Sequence, residues 1–490
     1  MLAMLLCVAG VPVVVLGLIW WSFGVPVTAF RPYINDEVTY WHQALTFSQA
    51  GLGGGFYTSS EITNPSGFTP FGAHGPGFPV LYGLIGAAFP WHFHTPVVAN
   101  LTFVSLATWL SVAFSRLSRA RALLYGALLV TFWPLLLWAP TAMQESFHAA
   151  GAVAMAGCVA GALAPMPSQT ARLAGWPLLA ALSFVRPSWL VLMPVWAVAS
   201  TWQRRPRIVA GAVCGAIALS IAVLLAYSRS TAPFVPPFFF LQAMDWRIGL
   251  QALWANVRSN VAMAAALGNY EPFEVVLRLQ YWTVMAVLAV ALVTTAQRRQ
   301  HTPGTPYLLA ALTAMAAAMG MMIALYTFTN AAEHRVLSAF LLFAGALAAM
   351  APGRAGPLIA AALIASNVAT AGVFVHAFKE ERQDNFVWDH RGLRELSMAF
   401  EAGGIAFHPG APRWCNTLLT SQYPPFLAAV PGGIGISIVR EPDQMQLPPK
   451  SHYLLLDDRA LAGFARPLHT REIARLPYGT LYVNLEAGCP

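Results

Sequence analysis

The chain has 490 residues, of which 57% are hydrophobic and only 10% are charged. Soluble domains carry about 25% charged residues. This composition, with a mean hydropathy of +0.58, therefore excludes an ordinary soluble protein and indicates a polytopic membrane protein. The formal net charge of +8 is not gathered into an exposed basic stripe, so no nucleic-acid partner is expected.

Apolar runs of bilayer-crossing length recur along the chain. Each covers about 17 to 25 residues, enough to cross a hydrocarbon core of about 30 Å as a helix, whereas the strands of a membrane barrel are shorter and alternate. The first run, Leu2 to Pro26, lacks a basic leader and a clear cleavage site, so we expect a retained helix. Further spans are predicted at 95–115, 122–139, 147–164, 173–202 (two short helices), 208–227, 281–296, 307–328, 336–350 and 357–375. Together they predict about eleven transmembrane helices.

Basic residues between these runs set the expected orientation, because cytoplasmic loops are enriched in Lys and Arg. All of the basic clusters fall on one side when the spans alternate: Arg116, Arg119 and Arg121, then Arg172, then Arg204, Arg205 and Arg207, then Arg298 and Arg299, and finally Arg354. We therefore expect an integral protein of a bacterial inner membrane with a cytoplasmic N-terminus and a periplasmic C-terminal region.

The acidic residues of the membrane part all fall on the opposite, outer side. They are Asp36, Glu37, Glu61, Glu145, Asp245, Glu271, Glu274 and Glu333. Orientation rules give acids little weight, so membrane insertion does not require this asymmetry. It indicates that the chemistry takes place on the outer face.

Two regions are expected, a membrane domain at 1–375 and an outer domain at 376–490. The membrane domain has long outer loops at 27–94 and 228–280. The first loop contains two short apolar stretches, which are typical of helices lying on the membrane surface.

The composition changes after residue 375. Strand-like runs at 434–439, 453–456 and 481–484 alternate with helical stretches such as 393–400, which predicts a small α/β domain.

Two of the five cysteines, Cys415 and Cys489, lie in this outer domain. Because an oxidising compartment favours pairing, we predict a disulfide between them.

Asp36 and Glu37 are the first candidate catalytic residues, because they directly follow the first span. Acids at this point also suit the N-terminus of a helix. Alternatively, a partly desolvated carboxylate at the membrane edge can take a proton from an acceptor hydroxyl. Both interpretations can hold together. We predict Asp36 as the general base with Glu37 beside it, although the sequence leaves open which of the two is the base.

Further polar residues lie at predicted outer ends of spans: Glu145, His148, Arg186, Glu333, His334 and Arg335. Ionisable groups at membrane depth usually pair with each other or with a ligand. Glu145 and Arg186 are therefore expected either to form an internal ion pair or to contribute to a ligand site. In such a site Arg186 and Arg335 would grip a phosphate, which suits the guanidinium fork.

No zinc-protease, nucleotide-binding or hydrolase motif occurs in a supporting context. The adjacent acids could hold a divalent ion, but no third ligand with suitable spacing is evident. We therefore predict no cofactor and leave a metal out.

The order of motifs in the first outer loop resembles that of the GT-C membrane glycosyltransferases, which include the protein O-mannosyltransferases and lipid A aminoarabinose transferases. Asp36-Glu37-Val38-Thr39-Tyr40 is followed by a glycine turn near Gly51 and by His74-Gly75-Pro76-Gly77-Phe78-Pro79. The number of spans, the long outer loops and the outer C-terminal domain are also similar. The likeness in motifs is clearest over residues 1–150.

The resemblance implies transfer of a sugar from a polyprenyl-phosphate carrier to a glycan, lipid or protein acceptor on the outer face, with inversion at the anomeric carbon. Asp36 matches the family's first-loop base, and Glu145 the second outer acid. Arg335 matches a residue that approaches the lipid phosphate. His74, Arg186 and His334 complete the expected donor site.

The sequence departs from the family in one place: His74-Gly75-Pro76 replaces a Lys-Pro-Pro or His-Pro-Pro motif. The chain's two lysines, Lys379 and Lys450, lie outside the membrane part, so Arg or His must hold the phosphate. Two other functions are compatible with the sequence, a flippase or transporter of lipid-linked sugars and a polysaccharide polymerase or ligase. No internal repeat of the kind found in transporters is evident.

Overall fold

A computed structural model describes residues 2–29, 32, 35–54, 71, 75–230, 246–265, 271–297, 302–325, 332–383, 390–421, 428–438, 448–464 and 466–489. The chain packs into two compact units. The first contains residues 1–27, 97–226 and 235–381, and the second contains residues 28–96, 227–234 and 382–490.

Helices make up most of the described chain. They are α1 (Leu2–Phe23), α2 (Asn35–Ala50), α3 (Gly77–Ala88), α4 (Thr95–Ser115), α5 (Arg119–Thr131), α6 (Trp133–Trp138), α7 (Gln144–Leu163), α8 (Gln169–Val185), α9 (Leu192–Ser200), α10 (Pro206–Ser230), α11 (Trp246–Ala265), α12 (Pro272–Gln297), α13 (Thr305–Leu325), α14 (Ala332–Met350), α15 (Ala355–Ala369), α16 (Ala371–Gln383), α17 (His390–Ala402) and α18 (Asp458–Ala462). The strands are β1 (Thr417–Thr420), β2 (Gly435–Ile438), β3 (Tyr453–Leu456), β4 (Thr470–Leu476) and β5 (Gly479–Asn484).

Six helices within the described residues are long and apolar enough to cross a membrane: α1, α4, α7, α10, α12 and α13. A seventh span is formed if α15 and α16, which meet at a bend of 54°, count as one. The structure thus confirms a polytopic helical protein, but the predicted count of about eleven spans is not confirmed.

Proline explains why some of the predicted spans are divided. The run at 122–139 is split into α5 and α6, where Pro134 stands at the start of the second helix. The run at 173–202 becomes α8, a short 3-10 helix (Pro187–Val191) and α9, as the sequence predicts. Proline removes a backbone hydrogen-bond donor and is accommodated best in the first turn of a helix.

Helix α7 lies at the centre of the first unit, and every residue in it except Phe147 is buried. It is rich in Ala and Gly, which allow neighbouring helices to approach closely. A Cβ atom on Gly157 would lie 2.4 Å from the Cα atom of Ser111 in α4, so only glycine fits there. This close packing fixes the polar residues at the start of α7.

The second unit contains a five-stranded sheet in the order β2-β1-β3-β5-β4. Strand β1 runs parallel to β2 and β3, whereas β5 runs antiparallel to β3 and β4. On one face Leu396 and Phe400 of α17 pack against the sheet, and on the other face Ala460 of α18 does so. The C-terminal region therefore has the α/β character that the sequence predicts.

A disulfide bond joins Cys415, just before β1, to Cys489 near the end of the chain, with 5.5 Å between the two Cα atoms. It closes the sheet region covalently across a sequence separation of 74 residues.

Candidate active site

Asp36 and Glu37 lie in the first turn of α2, in the second unit. The Glu37 side chain is buried, with 1% of its surface exposed, whereas Asp36 is half-buried. Acids in a first helical turn are stabilised by the helix dipole. Both residues take part in interactions with their surroundings. Of the two carboxylates, Asp36 is the more accessible to an incoming molecule.

One face of α2 is supported by the C-terminal part of the chain. Val38 is fully buried in the same apolar cluster as Leu418 and Ile436 of the sheet. One turn further on, the buried His42 donates a hydrogen bond from Nε2 to the carbonyl oxygen of Val430, at 3.2 Å. Two anchors, one apolar and one polar, thus fix the helix that carries the acids.

The environment of His42 strongly favours its neutral form. Burial lowers the pKa of His42 from 6.5 to about 4, against the opposing effect of the Val430 and Pro431 carbonyl groups, which would raise it. A charged imidazolium at this position would lose its hydration. The contact is therefore a hydrogen bond of a neutral ring.

Helix α3 supports the other side of α2. The ring of Tyr40 packs against Phe78 with centroids 5.4 Å apart, and Phe78 stacks on Tyr82 at 4.0 Å. A Cβ atom on Gly83 would lie 2.7 Å from Phe47, so the two helices approach closely at that glycine. The aromatic content of the first loop is explained by this packing.

The first glycine of the His-Gly-Pro-Gly sequence, Gly75, is required by the local structure. Gly75 has φ +87°, and a Cβ atom there would lie 2.3 Å from the ring of Tyr227. Both the left-handed backbone and the close ring therefore require glycine. His74 itself lies outside the described residues, so its role stays a prediction.

Glu145 and Arg186 form an ion pair in the first unit, with Arg186 Nη2 at 2.9 Å from Glu145 Oε1. Their side chains are 2% and 12% exposed, respectively. Glu145 is in the first turn of α7. Arg186 ends α8 in an extended conformation, as expected for a residue that precedes a proline. The ion pair predicted from the sequence is thus present.

The segment before α7 is held by its own polar contacts. Asn100 donates from its side-chain amide to the carbonyl oxygens of Ala139 and Thr141, at 3.1 and 2.6 Å. Ser146 donates to the carbonyl oxygen of Trp138. These bonds fix the chain on both sides of Glu145.

Arg335 joins the same cluster through its backbone and its side chain. Its carbonyl oxygen accepts a bond from Arg186 Nη1 at 3.3 Å, and its guanidinium group lies over the ring of Trp138 at 5.6 Å. A cation over an indole face is attracted by the ring's negative π-surface. The side chains of Glu333 and His334 are outside the described residues, so the donor-site role of His334 stays a prediction.

Trp189 is a member of the cluster that the sequence analysis missed. Its indole nitrogen donates to His148 Nδ1 at 2.8 Å, and both side chains are buried. His148 follows Glu145 by three residues, and Trp189 follows Arg186 by three residues. This shared spacing is the signal from which the second pair could have been found.

The described residues do not offer a metal centre. No three side chains of His, Cys, Asp or Glu come together among them, whereas structural and catalytic zinc sites use at least three protein ligands.

The fold is similar to that of solved structures of ArnT and of an oligosaccharyltransferase, which match nearly the whole chain. The GT-C-like fold expected from the sequence is thus confirmed. ArnT from Cupriavidus metallidurans bound to undecaprenyl phosphate matches with a TM-score of 0.52 and 13% identity, over 98% of this chain and 97% of that one. Its apo structure gives a TM-score of 0.50 at the same identity and coverage.

The oligosaccharyltransferase of Archaeoglobus fulgidus, in complex with Zn and sulfate, also shares the fold. It matches with a TM-score of 0.52 and 11% identity, over 97% of this chain and 73% of that chain. Comparison of the sequence with family models and with curated proteins gives no match.

Proposed function

We propose that the chain is a glycosyltransferase that moves a sugar from a polyprenyl-phosphate carrier to an acceptor hydroxyl on the outer face of a bacterial inner membrane. The observation that carries this proposal is the likeness, over almost the full length, to ArnT, which binds undecaprenyl phosphate. The half-buried carboxylate of Asp36 and the buried Arg186 cluster supply residue types that this chemistry needs.

Asp36 is proposed as the general base. It accepts the proton of the acceptor hydroxyl while that oxygen bonds to the anomeric carbon, and the bond from this carbon to the carrier phosphate breaks. Displacement from the opposite side inverts the anomeric centre. The partial exposure of Asp36 supports this role, and the burial of Glu37 supports a neighbouring role for Glu37.

The departing phosphate gains negative charge, which a nearby cation stabilises. Arg335 is proposed for this contact. Arg186 and Glu145 are proposed to form the wall of the donor site, with His74 and His334 as further donor contacts. Guanidinium groups bind phosphate with directed pairs of N–H donors, and the chain contains just two lysines to take their place.

The proposed orientation places the N-terminus in the cytoplasm and residues 376–490 in the periplasm. The disulfide between Cys415 and Cys489 supports an oxidising compartment for this region. The basic clusters on the opposite side of the membrane agree with it.

The test compares Asp36→Asn with Glu37→Gln, two changes that remove one charge while keeping the shape. The assay follows release of undecaprenyl phosphate from a radiolabelled undecaprenyl-phosphate sugar, with envelope extract as the source of acceptors. Loss of a general base reduces turnover by about 10²–10⁴-fold, so we expect this loss for Asp36→Asn, with donor binding unchanged. The matched Glu37→Gln protein should lose less than about tenfold. Full turnover by the Asp36→Asn protein would contradict the role of Asp36.

A further inference from the structure

Helix α7 and the turn after α8 are paired twice in the same register. Arg186 binds Glu145, and Trp189 binds His148, and in both pairs the partners are 41 residues apart. Residues three apart on a helix lie on the same face, with Cβ atoms about 5–6 Å apart. Glu145 and His148 are thus neighbours, and the turn at 186–189 holds both of them from one side.

Each of these side chains keeps one polar atom without a partner. Within the described part of the chain, Glu145 Oε2 and His148 Nε2 make no hydrogen bond, although the two residues are 4% and 1% exposed. Buried polar atoms in proteins are nearly always hydrogen-bonded. Two such atoms on adjacent positions of one helix face indicate a place for a missing partner.

The hydrogen bond from Trp189 defines what that partner must be. Because Trp189 donates to Nδ1, this nitrogen carries no proton, and the ring proton is on Nε2. His148 therefore offers a donor and Glu145 an acceptor. A hydroxyl group satisfies both, because it donates one hydrogen bond and accepts another. An anion fits poorly beside the Glu145 carboxylate.

We propose that His148 Nε2 and Glu145 Oε2 together bind one hydroxyl group of the sugar on the lipid-linked donor. This inference rests on the proposed function and deepens it, because it assigns a sugar-binding role to His148 and a tautomer-setting role to Trp189. Arg186 orients the Glu145 carboxylate through the bond to Oε1. A buried water molecule is the other source of the same hydroxyl chemistry, and the experiment separates the two.

The test uses His148→Asn and His148→Gln, which are both polar and differ in where their amide lies. The Asn amide lies near the position of Nδ1 and cannot supply the N–H at the position of Nε2, whereas the Gln amide reaches it. Binding of plain undecaprenyl phosphate is compared with binding of undecaprenyl phosphate bearing glucose, mannose or arabinose. The purified full-length protein is used throughout.

We expect the sugar to strengthen wild-type binding for at least one of the three donors. In the Asn variant this gain should fall by about tenfold, the effect of one lost hydrogen bond, and in the Gln variant most of it should remain. Plain undecaprenyl phosphate should bind all three proteins equally. A donor lacking the bound hydroxyl should bind the wild type and the Asn variant alike.

Two results would overturn the inference while leaving the proposed function intact. One is an equal gain from the sugar in the wild type and both variants, which means that the two atoms hold a water molecule only. The other is wild-type binding of the lipid phosphate with no gain from any of the three sugars. Failure of the wild type to bind any of these lipids would contradict the proposed function itself, and this inference with it.

Discussion

Helices α2 and α7 both begin with acidic residues, but the two helices are held in different ways. Glu145 of α7 is paired with Arg186, which lies 41 residues away in the same helical unit. Helix α2 is anchored through His42 to Val430, 388 residues further along. Glu145 of α7 is therefore paired within the first unit, whereas the helix that carries Asp36 and Glu37 packs against the sheet of the second unit.

Glu145 and Asp36 also differ in how far they are exposed. Glu145 is buried and ion-paired, which suits a residue that is held in place to bind a ligand. Asp36 is half-buried at the start of its helix, which suits a residue that must exchange a proton. Exposure thus distinguishes Asp36, the proposed base, from Glu145, the proposed binding residue.

The largest effect is expected from Arg186→Leu, which leaves the Glu145 carboxylate buried without its partner. Removing one member of a buried ion pair costs about 3–5 kcal/mol. We expect a loss of this size in the free energy of unfolding, measured by SDS titration of the purified protein. Adding Glu145→Gln should recover part of it, because a neutral amide is less costly to bury than an unpaired charge.

The matched control is Arg475→Leu, which breaks the exposed pair with Glu472, whose side chains are 77% and 47% exposed. Such surface pairs contribute about 0–1 kcal/mol. If the Arg186→Leu protein were as stable as this control, the ion pair between Arg186 and Glu145 would not stabilise the start of α7.

The second effect concerns the polar anchor of α2 and its dependence on pH. The unfolded chain binds a proton at His42 near pH 6.5, whereas the folded protein resists protonation down to about pH 4. The contribution of neutral His42 to the free energy of unfolding is therefore complete above pH 6.5 and is lost as the pH falls towards 4. The difference between the two pKa values corresponds to about 3 kcal/mol in the free energy of unfolding.

His42→Gln removes this titration while keeping an N–H donor for Val430. We expect the unfolding free energy of the wild type to fall more steeply than that of the variant between pH 6.5 and 4. The difference between the two curves isolates His42, because all other groups titrate in both proteins. Parallel curves would contradict a buried, neutral His42.

The smallest effect compares two glycines near α2 that both have positive φ. Gly75→Ala places a methyl group against Tyr227, whereas at Gly51, with φ +55°, no atom lies within 4 Å of an added Cβ. Both changes strain the backbone, but overpacking adds about 2 kcal/mol at Gly75 alone. Thermal unfolding should therefore show a larger loss for Gly75→Ala, and Tyr227→Ala in the same chain should reduce it. Equal losses at the two positions would contradict the close packing of Tyr227.

Local patterns in the sequence predicted many of the elements. The apolar runs anticipated α1, α4 and α7, and the short apolar stretches of the first loop correspond to α2 and α3. The strand-like runs at 434–439, 453–456 and 481–484 became β2, β3 and β5. Strands β1 and β4 were missed, because Thr417–Thr420 is a buried run of four residues without alternation, and β4 is a partly exposed strand with charged residues.

The charged residues of the candidate site could be predicted from the sequence. Scarce acids and arginines at the ends of apolar runs drew attention to Asp36, Glu145 and Arg186. His42 carries no charge signal, because a histidine in an apolar segment is ordinary, and Trp189 is indicated only by its spacing of three residues from Arg186. Their roles follow from contacts between distant segments, which periodicity along one chain does not encode.

The anchoring of α2 has a consequence for how the protein is made. Synthesis runs from residue 35 at the start of α2 to Val430, and only then is the acceptor for His42 available. A nascent chain that has reached α16 already contains Asp36, Glu37 and Arg186. It does not yet contain the sheet and Val430, which contact α2 in the folded protein. The support of α2 therefore waits for the C-terminal region, and a product that ended after α16 would lack the contacts of Val38 and His42 with that region.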